Sequence, residues 1–181
     1  RGGLSAIYLG NRWVVTAAHV GIGSVTFGGV PYDAIPGTTA SFTTAPGQFA
    51  DLIVFKLRQD PGLPALAIAS APRPIGTPVV MIGNGRNRGV ATTWNGIDGW
   101  LWGAGSAMRW GTNLVGSVPV NETVGSNVTR AFWTEFTKSP PPQVTTSEAQ
   151  GAVGDSGGAL FVENGSSWEL GGVLFLIATF N

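Results

Sequence analysis

Gly154-Asp155-Ser156-Gly157-Gly158 decides how this chain is read. A serine that attacks a carbonyl needs its Oγ clear of the backbone. It also needs backbone N–H groups converging where negative charge develops, and a base within hydrogen-bond reach. Glycines on both sides of Ser156 let the chain turn tightly and let a substrate backbone come close. Such a turn aims the N–H groups of Gly154 and Ser156 into one small space, a candidate oxyanion hole. The plainer reading is a Gly-rich turn between strands, and 28 glycines give the chain many of those.

A base must come from elsewhere. The chain holds one histidine, His19, at the end of Trp13-Val14-Val15-Thr16-Ala17-Ala18-His19. Taken alone, a histidine at a strand end is more often structural than catalytic. The small residues before it fit a tight turn that aims the imidazole at a cleft. A catalytic imidazole also needs a third group to fix its tautomer and stabilise its charged form. Asp51 opens Asp51-Leu52-Ile53-Val54-Phe55-Lys56-Leu57, an apolar strand pattern. An acid at the mouth of such a strand is a buried carboxylate in need of a partner, although alone it reads as an ordinary strand-edge aspartate.

Together, in the order His19, Asp51, Ser156, these segments resemble the chymotrypsin-like (trypsin-fold) serine protease family. A weaker match is Gly76-Thr77-Pro78-Val79-Val80-Met81-Ile82-Gly83-Asn84-Gly85, similar to the family's opening strand of the second barrel. The resemblance runs over nearly the whole chain, with the intervening loops matching only in placement. It implies an all-β fold of two antiparallel Greek-key barrels packed together. Residues 1–70 would carry His19 and Asp51, and residues 71–181 would carry Ser156 and the oxyanion hole.

Composition agrees with a compact β-protein. At 181 residues the chain buries a sizeable core. Hydrophobic residues make up 43%, but charged residues only 11%, so its loops are built from Gly, Ser, Thr and Asn. That is a common look for secreted or otherwise extracytoplasmic β-proteins. Ten basic and ten acidic residues cancel, and without a basic stripe no nucleic-acid partner is expected. The absence of cysteine excludes disulfides, thiolate metal sites and a cysteine nucleophile. With one histidine besides, no metal site and no cofactor are expected. No apolar run reaches the roughly 18 residues of a membrane span, so no membrane partner is expected. Arg1-Gly2-Gly3 shows no signal peptide.

Short apolar segments between turn residues dominate. Residues 4–9 and 12–16 read as a hairpin turned at Gly10-Asn11. Residues 24–27 and 30–35 flank Gly28-Gly29 as a second hairpin. Residues 41–43 are a weaker strand and 51–57 a strong one. Residues 58–76, rich in proline, read as surface loop and linker. Strands follow at 77–82, 114–120 and 129–136, with a rigid loop at Ser139-Pro140-Pro141-Pro142. The sequons at Asn121, Asn127 and Asn164 mark exposed turns. Residues 84–110 hold four of the seven tryptophans, Trp94, Trp100, Trp102 and Trp110. They form either an aromatic binding surface or a hairpin whose tryptophans cover one barrel end. The second is favoured, because aromatics most often bury area. Arg109-Trp110-Gly111 is a candidate cleft wall.

The resemblance implies acyl transfer. Ser156 attacks, His19 takes its proton, Asp51 orients His19, and Gly154 and Ser156 hold the oxyanion. It places Gln150 at the floor of the primary specificity pocket and Phe175, Leu176 and Ile177 on the opposite wall. Gln150 is neutral, so no preference for Lys or Arg is expected. Large residues on the wall narrow the pocket and suit a small apolar or polar side chain. Family members often pair the aspartate beside the nucleophile with a new N-terminus. Here that aspartate is Asp155, and Arg1-Gly2-Gly3 resembles an interior segment, so Asp155 needs another partner or the chain is trimmed. Phe180-Asn181 likewise stops before the family's last strand and helix. The leading function is a serine endopeptidase acting on polypeptides. The alternative is a protease-like domain that binds peptides without cutting, and a third is a carbohydrate-binding β-domain resting on the tryptophans.

Overall fold

The computed structural model describes residues 5–136 and 147–178. Regular structure in them is β, apart from one 3-10 turn at Ala18–Val20. The first six strands are β1 (Ile7–Gly10), β2 (Trp13–Thr16), β3 (Val25–Phe27), β4 (Val30–Tyr32), β5 (Ala40–Ala45) and β6 (Gln48–Lys56). Four of them form an antiparallel sheet in the order β1-β2-β6-β5. The β1–β2 turn is made at Gly10, Asn11 and Arg12, all at positive φ. Gly28 and Gly29, also at positive φ, turn the β3–β4 hairpin, as the sequence predicts for a two-residue loop.

The second group is β7 (Pro78–Gly83), β8 (Arg86–Trp94), β9 (Ile97–Ser106), β10 (Arg109–Leu114), β11 (Val120–Val124), β12 (Asn127–Ala131), β13 (Ala159–Asn164) and β14 (Ser167–Val173). Its main sheet has the order β10-β7-β13-β14, while β8–β9 and β11–β12 are separate hairpins. Both four-stranded sheets are open in their hydrogen bonding among the described residues.

Burial explains the arrangement. One face of the first sheet packs Tyr8, Val14, Phe55 and Leu57 under Phe27 and Tyr32 of the β3–β4 hairpin. The other face places Ile7 and Val15 against Ala159 and Leu170 of the second sheet. The central strand β6 is therefore covered on both sides, which is why its sequence is a nearly continuous apolar run. A separate cluster of Val79, Met81, Val115, Leu160 and Val162 fills the second sheet's outer core. The β11–β12 hairpin crosses back to the first sheet, where Thr44 Oγ1 donates to the Val128 carbonyl at 3.0 Å.

Several expectations need correction. Residues 58–76 are not all surface loop. Ala69 N–H donates to the Leu170 carbonyl, Leu170 N–H donates to Ala67, and Ala69 packs on the core. The strand expected over 114–120 is instead β10, ending at Leu114, because residues 109–114 pair with β7. The strand expected over 129–136 runs from Asn127 only to Ala131. Within residues 84–110, β8 and β9 form a hairpin and Trp110 lies on β10 of the main sheet, and the tryptophans do not simply cover a barrel end. Trp94 is 42% exposed, Trp102 36% and Trp110 65%. Residues 139–142 and both chain ends lie outside the described residues.

Candidate active site

Register brings two of the expected residues together. Thr16 on β2 pairs with Ile53 on β6, so the 3-10 turn that follows β2 lies beside Asp51. The Asp51 side chain is 1% exposed and gives both oxygens to one residue. His19 N–H donates to Oδ1 at 2.8 Å, and His19 Nδ1 lies 2.6 Å from Oδ2. The backbone of Asp51 is also held, its N–H donating to Thr129 Oγ1 at 2.8 Å. A buried carboxylate is costly unless it is paired and hydrogen-bonded, and here both conditions are met. Thr129 belongs to the crossing hairpin, a brace that no motif in the sequence announces. The His19 side chain is 43% exposed, so the ring is anchored at Nδ1 and open elsewhere.

The turn around Ser156 sits where β7 ends and β13 begins, with Ile82 paired to Ala159. Gly154 and Gly157 are at φ +97° and +83°, a region that disfavours other residues. Asp155 N–H donates to the Ala152 carbonyl and Gly158 N–H to the Asp155 carbonyl. Among the described residues, neither the Gly154 nor the Ser156 N–H donates a backbone hydrogen bond.

Asp155 finds its partners inside the chain. Its Oδ1 accepts from Gly85 N–H at 2.6 Å and its Oδ2 from Ala152 N–H at 2.7 Å. A Cβ at Gly83 or Gly85 would overlap this carboxylate. The Gly-x-Gly after β7 is thus shaped around Asp155.

The two halves of the site are docked through Gly157. Ser5 N–H donates to the Ser156 carbonyl at 3.0 Å, and Thr16 Oγ1 donates to the Ser5 carbonyl at 2.7 Å. A Cβ at Gly157 would overlap both Ser5 O and Thr16 Oγ1. The Ser156 turn therefore rests on the end of β2, three residues before His19.

Gln150 is exposed, Phe175 and Ile177 are half-buried, and Leu176 is exposed. Ile177 Cγ2 lies 3.0 Å from where a Cβ on Gly151 would stand. Gln150 also lines a cleft of about 570 Å³ between the β8–β9 hairpin and residues 147–152. Phe175, Leu176 and Ile177 do not line it. Among the described residues no three His, Cys, Asp or Glu side chains are grouped to hold a metal ion.

The same architecture occurs in solved proteases. Rv3671c protease of M. tuberculosis H37Rv, in an inactive form, aligns with a TM-score of 0.58 at 20% identity, over 94% of this chain and 70% of that one. The murine norovirus NS6 protease, an inactive mutant with a C-terminal extension, aligns with a TM-score of 0.58 at 16% identity, over 98% of this chain and 84% of that one. This chain has the chymotrypsin-like protease fold. One Rv3671c structure is a serine-to-alanine mutant and the NS6 structures are cysteine-to-alanine mutants, both described as inactive. No family model and no curated protein matches the sequence.

Proposed function

We propose that the protein is a serine endopeptidase that cleaves polypeptides through Ser156, His19 and Asp51. The observation that carries this reading is the His19–Asp51 pair, with its ring anchored at Nδ1 and its turn following the end of β2 on which the Ser156 turn rests. With no cysteine in the chain, the nucleophile at this position is an oxygen. Ser156 Oγ attacks the scissile carbonyl and His19 Nε2 takes its proton. Asp51 holds the imidazole tautomer and stabilises the imidazolium without itself being protonated. The N–H groups of Gly154 and Ser156 hold the oxyanion, each worth about 3–4 kcal/mol of barrier. The amine leaves with the proton from His19. Water, deprotonated by His19, then releases the acyl group. The sparsely charged composition supports a setting outside the cytoplasm.

A second reading is a peptide-binding domain that does not cut. It is favoured by the large side chains of Phe175, Leu176 and Ile177, with Ile177 Cγ2 3.0 Å from where a Cβ on Gly151 would stand. Labelling with a fluorophosphonate probe separates the two. The protease reading expects covalent modification at Ser156 that Ser156→Ala and His19→Ala both abolish. A folded protein that resists labelling favours the binding domain.

A further inference from the structure

The cleft beside Gln150 is lined by more arginines than carboxylates. Arg86, Arg88 and Arg109 line it, and among the described residues none forms an ion pair with a carboxylate. Two of them are braced in ways that preserve their charge. The Arg88 guanidinium lies 4.1 Å over the Trp100 ring, and Trp100 in turn packs on Phe136 with ring centroids 5.6 Å apart. Stacking fixes the plane of a guanidinium and leaves its N–H edge to meet an anion. Arg109 Nη2 donates to Asn87 Oδ1, and Asn87 Nδ2 donates to the Ala104 carbonyl at 2.7 Å. Two carboxylates share the cleft. Asp155 has both oxygens on backbone N–H groups, and Glu148 is buried.

We infer that this cleft binds an acidic side chain of the polypeptide substrate, with the Arg88 and Arg109 guanidiniums as its partners. The inference rests on the protease reading of Ser156, because it supplies that enzyme's selectivity. A peptide is the occupant the position favours. Gln150 to Ala152 and Asp155, the residue before Ser156, line the cleft, so it adjoins the Ser156 turn. The molecule carries no net charge, unlike the broad basic footprint of a nucleic-acid binder. Charge-assisted bonds to a planar guanidinium select carboxylate over the amide of the same shape.

The test uses the Ser156→Ala chain and two fluorescent peptide pools with random flanks, one with Glu and one with Gln at the centre. Polarisation should show the Glu pool binding roughly tenfold more tightly in moderate salt. Arg109→Glu should remove that preference. Arg86→Glu, whose side chain makes no bond to another side chain among the described residues, should weaken it without lowering Tm. Equal affinity for the two pools, binding of neither, or tighter binding of a dT decamer overturns the inference. Fluorophosphonate labelling of the wild-type chain is read separately. Labelling with no Glu preference keeps the protease and discards the acidic subsite. A Glu preference without labelling does the reverse.

Discussion

Asp51 holds His19 by its ring and its backbone at once, with one carboxylate oxygen at 2.6 Å from Nδ1 and the other at 2.8 Å from N–H. With the backbone held at N–H and the ring held at Nδ1 by one carboxylate, the imidazole has little freedom to turn, so Nε2 keeps one direction. Replacing Asp51 by Asn preserves the shape and removes the charge. It also permits the wrong tautomer, with Nδ1 accepting from the amide. In a Ser-His-Asp triad that change costs on the order of 10⁴ in turnover. We expect Asp51→Asn to slow fluorophosphonate labelling by a comparable factor while the far-ultraviolet spectrum stays unchanged. Labelling within a factor of ten of wild type would remove Asp51 from the mechanism.

Gly157 is where the Ser156 turn meets the first sheet. Gly157→Ala places a methyl group against Ser5 O and Thr16 Oγ1 at a positive φ. Strain and overlap add, and we expect a loss of more than about 2 kcal/mol in urea unfolding. Gly165 is the control. It also has positive φ, but nothing lies within 4 Å of its added Cβ, so Gly165→Ala should cost about 1 kcal/mol. Equal losses at the two sites would mean that the docking contact contributes nothing.

Much of this was legible before the structure. The strands at 51–57 and 77–82 and the hairpins at Gly10-Asn11 and Gly28-Gly29 follow from periodicity and turn chemistry, because each is a local pattern. The pairing of His19 with Asp51 was legible only through the resemblance, since 32 residues separate them. Thr16, Thr129 and Gly157 were not legible as supports. Their roles depend on which strands become neighbours, and a threonine or glycine carries no sign of that. The β8–β9 tryptophans misled for a related reason. Their size argues for burial, but β8–β9 is a two-stranded hairpin outside either main sheet. Arg86, Arg88 and Arg109, which flank them in the sequence and are exposed, were a sign in the sequence that this face is not a buried one.

Asp155 ties the Ser156 turn to the end of β7 through the N–H groups of Gly85 and Ala152. Asp155→Ala leaves both donors without an acceptor, a loss of about 1–3 kcal/mol for each that stays buried. The larger effect should be on labelling, because Gly154 and Ser156 flank the released residue. One misplaced oxyanion donor costs about 10²–10³ in rate, and we expect a slowing of that order. Asp155→Asn keeps one acceptor and should fall between. A labelling rate untouched by Asp155→Ala would show that the turn holds its shape without this anchor.

Far from the site, Tyr8 Oη donates to Asp60 Oδ1 at 2.7 Å, and Gly62 N–H donates to the same oxygen at 2.9 Å. The Tyr8 hydroxyl, followed by the Gly62 N–H, holds the Asp60 carboxyl below its ordinary value of 3.8. Burial pushes Tyr8 above its ordinary value of 10.0. The signs follow from linkage. A depressed carboxyl stabilises the fold above its ordinary value, and that stability is lost as pH falls through the lower, folded value. A raised phenol stabilises below its ordinary value, and that stability is lost as pH rises through the higher one. The Tm advantage of wild type over Asp60→Asn should therefore be complete near neutral pH and shrink in acid below the ordinary carboxylate range. Tyr8→Phe removes the main cause of the shift, so the Asp60 carboxyl resonance should then titrate closer to its ordinary value. A Tm difference that stays constant into strong acid, or an Asp60 titration unmoved by Tyr8→Phe, would count against this bond in solution.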